Sequence, residues 1–241
     1  MITPTTTSLL AIIVPVCASL FLFARLKKNH IVSSRSFFWN YAFGFGIISI
    51  SGIPVYLINL GVEVSYATLL LMYTLSFVAA FVAYLLFYRG TISLFTEERF
   101  VALAFPNIIL PVISIFALGA LFYLKLPTIL IYTAAAWGFL FPNNMYISSL
   151  FLYSFAQGSP RGMLKRKFCT FVLAVGWFLM LGLDIVLWVS AVLYLRPDLW
   201  ILKVASMQGW FIVRAIDYLI ILWGVLLCAR CLRQNKSLEE K

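Results

Sequence analysis

Histidine occurs once in this chain, at position 30, and aspartate and glutamate together occur only eight times in 241 residues. With that histidine in a polar loop, haem and histidine–metal ligation inside an apolar run are excluded, and so is a Ser–His–Asp triad assembled there. Neither a paired acidic metal motif nor a glycine-rich phosphate loop occurs. An enzyme is therefore the least expected class, and no cofactor or metal is expected. Charged residues make up 11% of the chain against 63% hydrophobic, and the mean hydropathy is +1.02. A soluble domain carries about 25% charged and roughly 45–50% apolar residues, so this composition excludes one. No lysine or arginine precedes the first apolar run in MITPTTTSLL. A cleaved secretory signal needs a positive n-region, so the first run is expected to stay as a helix with its N-terminus outside.

Long apolar runs fill the sequence instead. Seven of them, at 8–24, 37–60, 67–88, 100–123, 128–155, 168–194 and 205–229, match the about 20 residues that a membrane-spanning helix needs. In lipid every backbone polar group must be satisfied internally, and long runs without alternation do so as helices. The expected fold class is all-α: a polytopic membrane protein with a single seven-transmembrane-helix bundle over 1–241, ending in a short cytoplasmic tail at 230–241. The net charge of +10 is no nucleic-acid footprint, because the basic residues sit in short loops between apolar runs. The loops after the first, third, fifth and seventh runs carry Arg25, Lys27, Lys28, Arg35, Arg89, Arg99, Arg161, Lys165, Arg166, Lys167, Arg230, Arg233, Lys236 and Lys241. The opposite side has only Lys125, Arg196 and Lys203. That bias sets the N-terminus outside and the C-terminus inside, in a cytoplasmic (inner) membrane. Trp39, Tyr194 and Trp200 suit interfacial anchoring.

Pro15, Pro54, Pro111 and Pro142 each fall inside an expected span and should kink it by removing a backbone hydrogen bond. Asn143 and Asn144 follow Pro142 directly. Their amides either satisfy the carbonyl that the proline frees or form a polar wall lining a cavity opposite Asp184. Asn40 and Asn59 in the second span and Asn107 beside Pro106 are expected to make interhelical hydrogen bonds, worth about 0.6 kcal/mol each. No internal repeat relates the first three spans to the last three.

The seventh run contains FIVRAIDYLI, which places Arg214 and Asp217 three residues apart in sequence apolar enough for lipid. That spacing puts both on one helix face. The stripe Trp210, Arg214, Asp217, Ile221, Gly224, Cys228 alternates steps of four and three, the pattern of one packing face on which Gly224 permits close approach. The sixth run supplies Asp184. Asp184 and Arg214 lie at nearly equal distances from the centre of the loop between the sixth and seventh runs, so an antiparallel pair brings them to nearly the same depth. A charge at the bilayer centre costs about 2.5–3.5 kcal/mol on the insertion scale, so such residues face the bundle and pair. Asp184, Arg214 and Asp217 then form either a structural clamp or, with one carboxylate to spare, a site for a proton, a cation or a cationic ligand. Asn143, Asn144 and Trp210 are the candidate cavity lining. Cys228 and Cys231 form a CxxC at the inner end of the seventh run, with Cys169 at the matching end of the sixth. Cytoplasmic thiols stay reduced, and packing at the boundary is their expected role.

Retinal pigments of the microbial rhodopsin type need a lysine four residues after the last-helix aspartate. Here that position is Ile221, and no lysine lies in the seventh run. The SWEET-type sugar transporters share the helix number and orientation, and the likeness extends to Pro15, Pro54, Pro142 and Asn143/Asn144. The layout also resembles the seven-helix N-terminal sensing region of some bacterial histidine kinases, whose last helix, like ILWGVLLCARCLRQNKSLEEK (221–241), runs into the cytoplasm. The resemblance implies a receptor or sensor binding a small ligand, ion or proton. About a dozen residues follow the membrane, so it would signal through a separate cytoplasmic or membrane partner. A small-solute or ion transporter and a structural subunit of a membrane assembly remain the alternatives. Cysteine labelling is expected to reach 61–66, 125–127 and 196–203 from outside and 160–167 from inside; labelling of 160–167 from the outer face would reverse the orientation.

Overall fold

The computed structural model describes residues 3–28, 35–63, 65–94, 141–157, 167–194 and 211–228, and the regular structure among them is all helical. The helices are α1 (Pro4–Lys28), α2 (Arg35–Ile48), α3 (Ile53–Asn59), α4 (Tyr66–Leu94), α5 (Phe141–Gln157), α6 (Lys167–Tyr194) and α7 (Phe211–Cys228). Four stretches are long and apolar enough to cross a membrane: Thr5–Leu26, Arg35–Asn59, Thr74–Leu94 and Phe211–Cys228. A shorter apolar stretch, Phe168–Leu183, lies in α6, whose 28 residues extend about 42 Å. The expected fourth span, 100–123, lies outside the described residues, so the seven-helix number and the orientation remain expectations from sequence.

The outward surface is what lipid requires. Leu20, Leu71, Leu75, Leu219 and Trp223 are each more than half exposed. Apolar surface on this scale is an aggregation hazard in water and ordinary against acyl chains. By helix length, hydropathy and surface the chain is a candidate multi-pass membrane protein.

The second span is continuous in sequence but changes helix type. Pro54 has no N–H to give the Ile50 carbonyl. The Ile53 N–H, one residue earlier, takes that carbonyl, and Ser49–Gly52 tightens into a 3-10 turn between α2 and α3. Through Pro15, by contrast, α1 continues. At its far end α3 stops in a Schellman cap: Gly61 adopts φ +77°, the Gly61 N–H donates to the Ile58 carbonyl and the Val62 N–H to the Leu57 carbonyl. Left-handed backbone is the natural conformation of glycine there.

Glycines decide how the helices meet. Between α1 and the second span a Cβ on Gly46 of α2 would lie 3.1 Å from Ser19 Oγ, and one on Gly52 of the 3-10 turn 2.8 Å from Ile12 Cγ1. At the N-terminal end of α1 Asn59 Nδ2 donates to Ser8 Oγ at 3.1 Å, and Thr5 Oγ1 donates to the Asn59 carbonyl. Asn59 thus bonds across helices as its position in the span indicates. Asn40 does not: its Nδ2 donates to the Ser36 carbonyl at 2.7 Å and to Ser36 Oγ, one turn back on its own helix. The α2–α4 pair is reciprocal, since the Phe87 ring fills the space over Gly44 and the Tyr41 ring that over Gly90. The α6–α7 pair is reciprocal too. A Cβ on Gly176 would meet Ile221 Cγ1 at 2.7 Å, and one on Gly224 would meet Leu173 Cγ at 2.7 Å and the Leu173 backbone N at 3.3 Å. Small residues at crossings are how helices approach closely in lipid, where apolar burial gives no preference for protein over acyl chains.

Three helices are further tied by one directed hydrogen-bond chain. Thr91 Oγ1 donates to the Phe87 carbonyl at 2.8 Å, which uses its only proton. The Tyr41 hydroxyl therefore donates to Thr91 Oγ1, 2.9 Å away, and accepts from the Trp177 indole N–H at 3.2 Å. All three side chains are buried. Three buried polar side chains, one each from α2, α4 and α6, thus satisfy one another inside an aromatic core of Phe45, Tyr84, Phe87 and Tyr218.

Gly224→Ala should destabilise the detergent-solubilised protein by about 1–3 kcal/mol in a denaturation titration, the usual cost of overpacking, and adding Leu173→Ala should recover part of it. Gly182, over which a Cβ would meet nothing within 4 Å, should tolerate alanine or gain up to about 1 kcal/mol.

Candidate functional site

The polar stripe on α7 faces the interior. Arg214 is 6% exposed, Asp217 0%, and Ile221, Gly224 and Cys228 are buried beside them, whereas Val213, Ile216, Leu219 and Trp223 face outward. Steps of three and four along a helix return to one face, and here that face is the protein side. Trp210, the expected head of the stripe, lies outside the described residues.

Arg214 finds a partner that spacing alone did not single out. Its Nε donates to the Tyr218 hydroxyl at 2.7 Å, one turn along α7, and its Cζ lies 5.5 Å from the centre of the same ring. Tyr218 is itself buried and meets Phe45 of α2 edge-on, with ring centres 6.0 Å apart. The charged head is thus supported by a phenol oxygen and a π face, both stronger partners away from water. Asp217 shares the buried face three residues from Arg214.

The height of Asp184 follows from the glycine crossing. Gly176 lies against Ile221 and Leu173 against Gly224, one antiparallel register. Continued toward the C-terminal end of α6, that register sets Asp184 opposite Val213, next to Arg214. The side chain of Asp184 lies outside the described residues, so the expected cross-helix pair does too. On the other flank, Phe155 of α5 meets Phe171 of α6 at 5.2 Å between ring centres. The register from that contact brings Asn143 to the level of Leu183, beside Asp184. Asn143 and Asn144 are both 0% exposed although adjacent helix residues point about 100° apart, so α5 is covered on two sides at this height. The helix ladder before Pro142, where the kink was expected, lies outside the described residues. By these registers the backbone positions of Asn143 and Asn144 on α5, Asp184 on α6, and Arg214 and Asp217 on α7 fall near one level.

Below that level lies the chain that sequence reasoning missed. Trp177 is six residues from Leu183 on α6, about 9 Å along the axis. The contacts Arg214–Tyr218, Tyr218–Phe45 and Phe45–Tyr41 lead from the charged level to the Tyr41 hydroxyl. With 17% aromatic residues in the chain, nothing in the sequence singles out Tyr41 or Trp177. Tyr218 stands one helical turn after Arg214, and that spacing is the signal that could have pointed to it.

Among the described residues no group of three or more His, Cys, Asp and Glu could hold a metal ion. Chemically the level offers a buried guanidinium, a buried carboxyl and two buried amides. Removing one member of a buried ion pair costs about 3–5 kcal/mol because the other is stranded. Arg214→Leu alone is therefore expected to destabilise more than Arg214→Leu combined with Asp184→Leu and Asp217→Leu, in denaturation of the purified variants. The reverse order would remove Asp184 and Asp217 as its charge partners.

The chain matches no family model, no curated protein and no solved structure.

Proposed function

We propose that this chain is an integral membrane receptor or sensor whose polar level in α5, α6 and α7 takes up a small ligand, an ion or a proton and signals through a cytoplasmic or membrane partner. The observation that supports it is the burial of Arg214 and Asp217 inside a helix whose other faces are apolar and outward. Ionisable groups at such depth are costly, and a functional site is the default account of them. In this proposal Asp184 and Asp217 flank Arg214, leaving one negative charge when all three ionise. A proton or cation neutralises that charge and changes how firmly Arg214 is held. Arg214 bonds Tyr218, and Tyr218 packs on Phe45, so its movement is transmitted to the core that joins α2, α4 and α6. The likeness of layout to the sensing region of histidine kinases agrees with this use of the bundle.

The test compares wild type with Asp217→Asn in lipid nanodiscs, following melting temperature across pH 5–8 and with added monovalent and divalent cations. A wild-type shift that Asp217→Asn abolishes, with the variant still folded, is the expected outcome. An identical response in the variant would contradict a charge-sensing role for Asp217. Counterflow of a solute in proteoliposomes, dependent on the same residue, would make the protein a transporter instead.

A further inference from the structure

The first 62 residues contain Arg25, Lys27, Lys28 and Arg35 but no aspartate or glutamate, so no carboxylate within this segment neutralises its positive charge. Two of these residues are placed in a specific way. The Arg25 guanidinium lies over the Phe21 ring, 5.3 Å from its centre, and that of Arg35 over the Trp39 ring at 5.9 Å. Both arginines are exposed. The register set by Ser8–Asn59, Ile12–Gly52 and Ser19–Gly46 puts them at the same end of the α1–α2 pair. There Phe23, Trp39 and Phe43 form a three-ring cluster across the two helices, with centres 5.0–5.6 Å apart. The exposed surface here is apolar: Leu20 is 63% exposed, Phe21 42%, and Phe43 of the cluster itself 48%.

We infer that this end of the α1–α2 pair binds an anionic phospholipid. The surface asks for a partner that is negatively charged where the guanidinium groups lie and apolar one turn further along the helices. A phospholipid has that order of groups: a phosphate that takes guanidinium N–H donors in bidentate fashion, and acyl chains that cover Leu20, Phe21 and Phe43. The rings beneath the guanidinium groups hold them flat, which lowers the ordering entropy lost when a headgroup binds. An acidic protein segment would leave the exposed apolar band below it uncovered.

The inference rests on the membrane assignment, and its test separates the two. The full chain is placed in bilayers of phosphatidylcholine and phosphatidylglycerol with matched acyl chains, and relative affinity is read by competition with spin-labelled lipid. Wild type should prefer phosphatidylglycerol, and Arg25→Gln and Arg35→Gln should each lower that preference about fivefold, the share of one basic residue near an anionic surface. Arg25→Lys with Arg35→Lys should keep the larger part of it, because the charge remains. Equal retention of both lipids by wild type, or a preference unchanged in the double Gln variant, would overturn the site while leaving the chain a membrane protein. Release of wild type from membranes by an alkaline wash would overturn the membrane assignment, and the lipid site with it.

Discussion

The close approach of α6 and α7 at Gly176 and Gly224 sets the height of the polar residues above it. Lipid solvates leucine as well as another helix does, so apolar side chains give helices little reason to choose each other. Contact distance gives them one. Where glycine removes the Cβ, the side chains of Ile221 and Leu173 reach the opposing backbone, and more atoms meet at van der Waals distance. The same device recurs in α2 and α4, where Phe87 and Tyr41 occupy the spaces over Gly44 and Gly90. Side chains seated over glycines in this way oppose sliding of one helix along the other. A polar residue several turns away thereby acquires a defined depth.

That geometry makes the charged level and the aromatic core parts of one construction. Arg214 cannot leave the α7 interior without giving up Tyr218, and Tyr218 cannot tilt without losing its contact with Phe45. Phe45 in turn packs on Phe87 and Tyr41, and Tyr41 is held at its hydroxyl by Trp177 and Thr91. Small changes at one end of such a chain become discrete repacking at the other, because close-packed interiors do not deform continuously.

Much of this was written in the hydropathy and spacing of the chain. The sixth run at 168–194 coincides within one residue with α6 (Lys167–Tyr194), since apolar length is dictated by the bilayer and interrupted only by charge. The inward stripe of α7 was legible because 3.6-residue periodicity survives even where both faces are apolar: the polar and small residues are what repeat. The change of helix type near Pro54 was foreshadowed by the missing N–H, though not that Ser49–Gly52 would absorb it as a 3-10 turn. Asn40 misled because an amide in a helix can reach the carbonyl four residues back as easily as a neighbour, and Ser36 adds a second acceptor there. The Trp177–Tyr41–Thr91 chain joins positions up to 136 residues apart, and aromatic and hydroxyl residues are too common in this chain to point to one another.

The most direct test of the account is a charge exchange between α6 and α7. If the glycine crossing brings Asp184 level with Arg214, Asp184→Arg and Arg214→Asp should each impair folding, measured as loss of the monodisperse, thermally stable protein in detergent. The double exchange should then be more stable than either single reversal, because opposite charges again face each other at the same height. A double variant no more stable than the worse of the two single variants would place the residues out of reach and contradict the common level on which the proposed site depends.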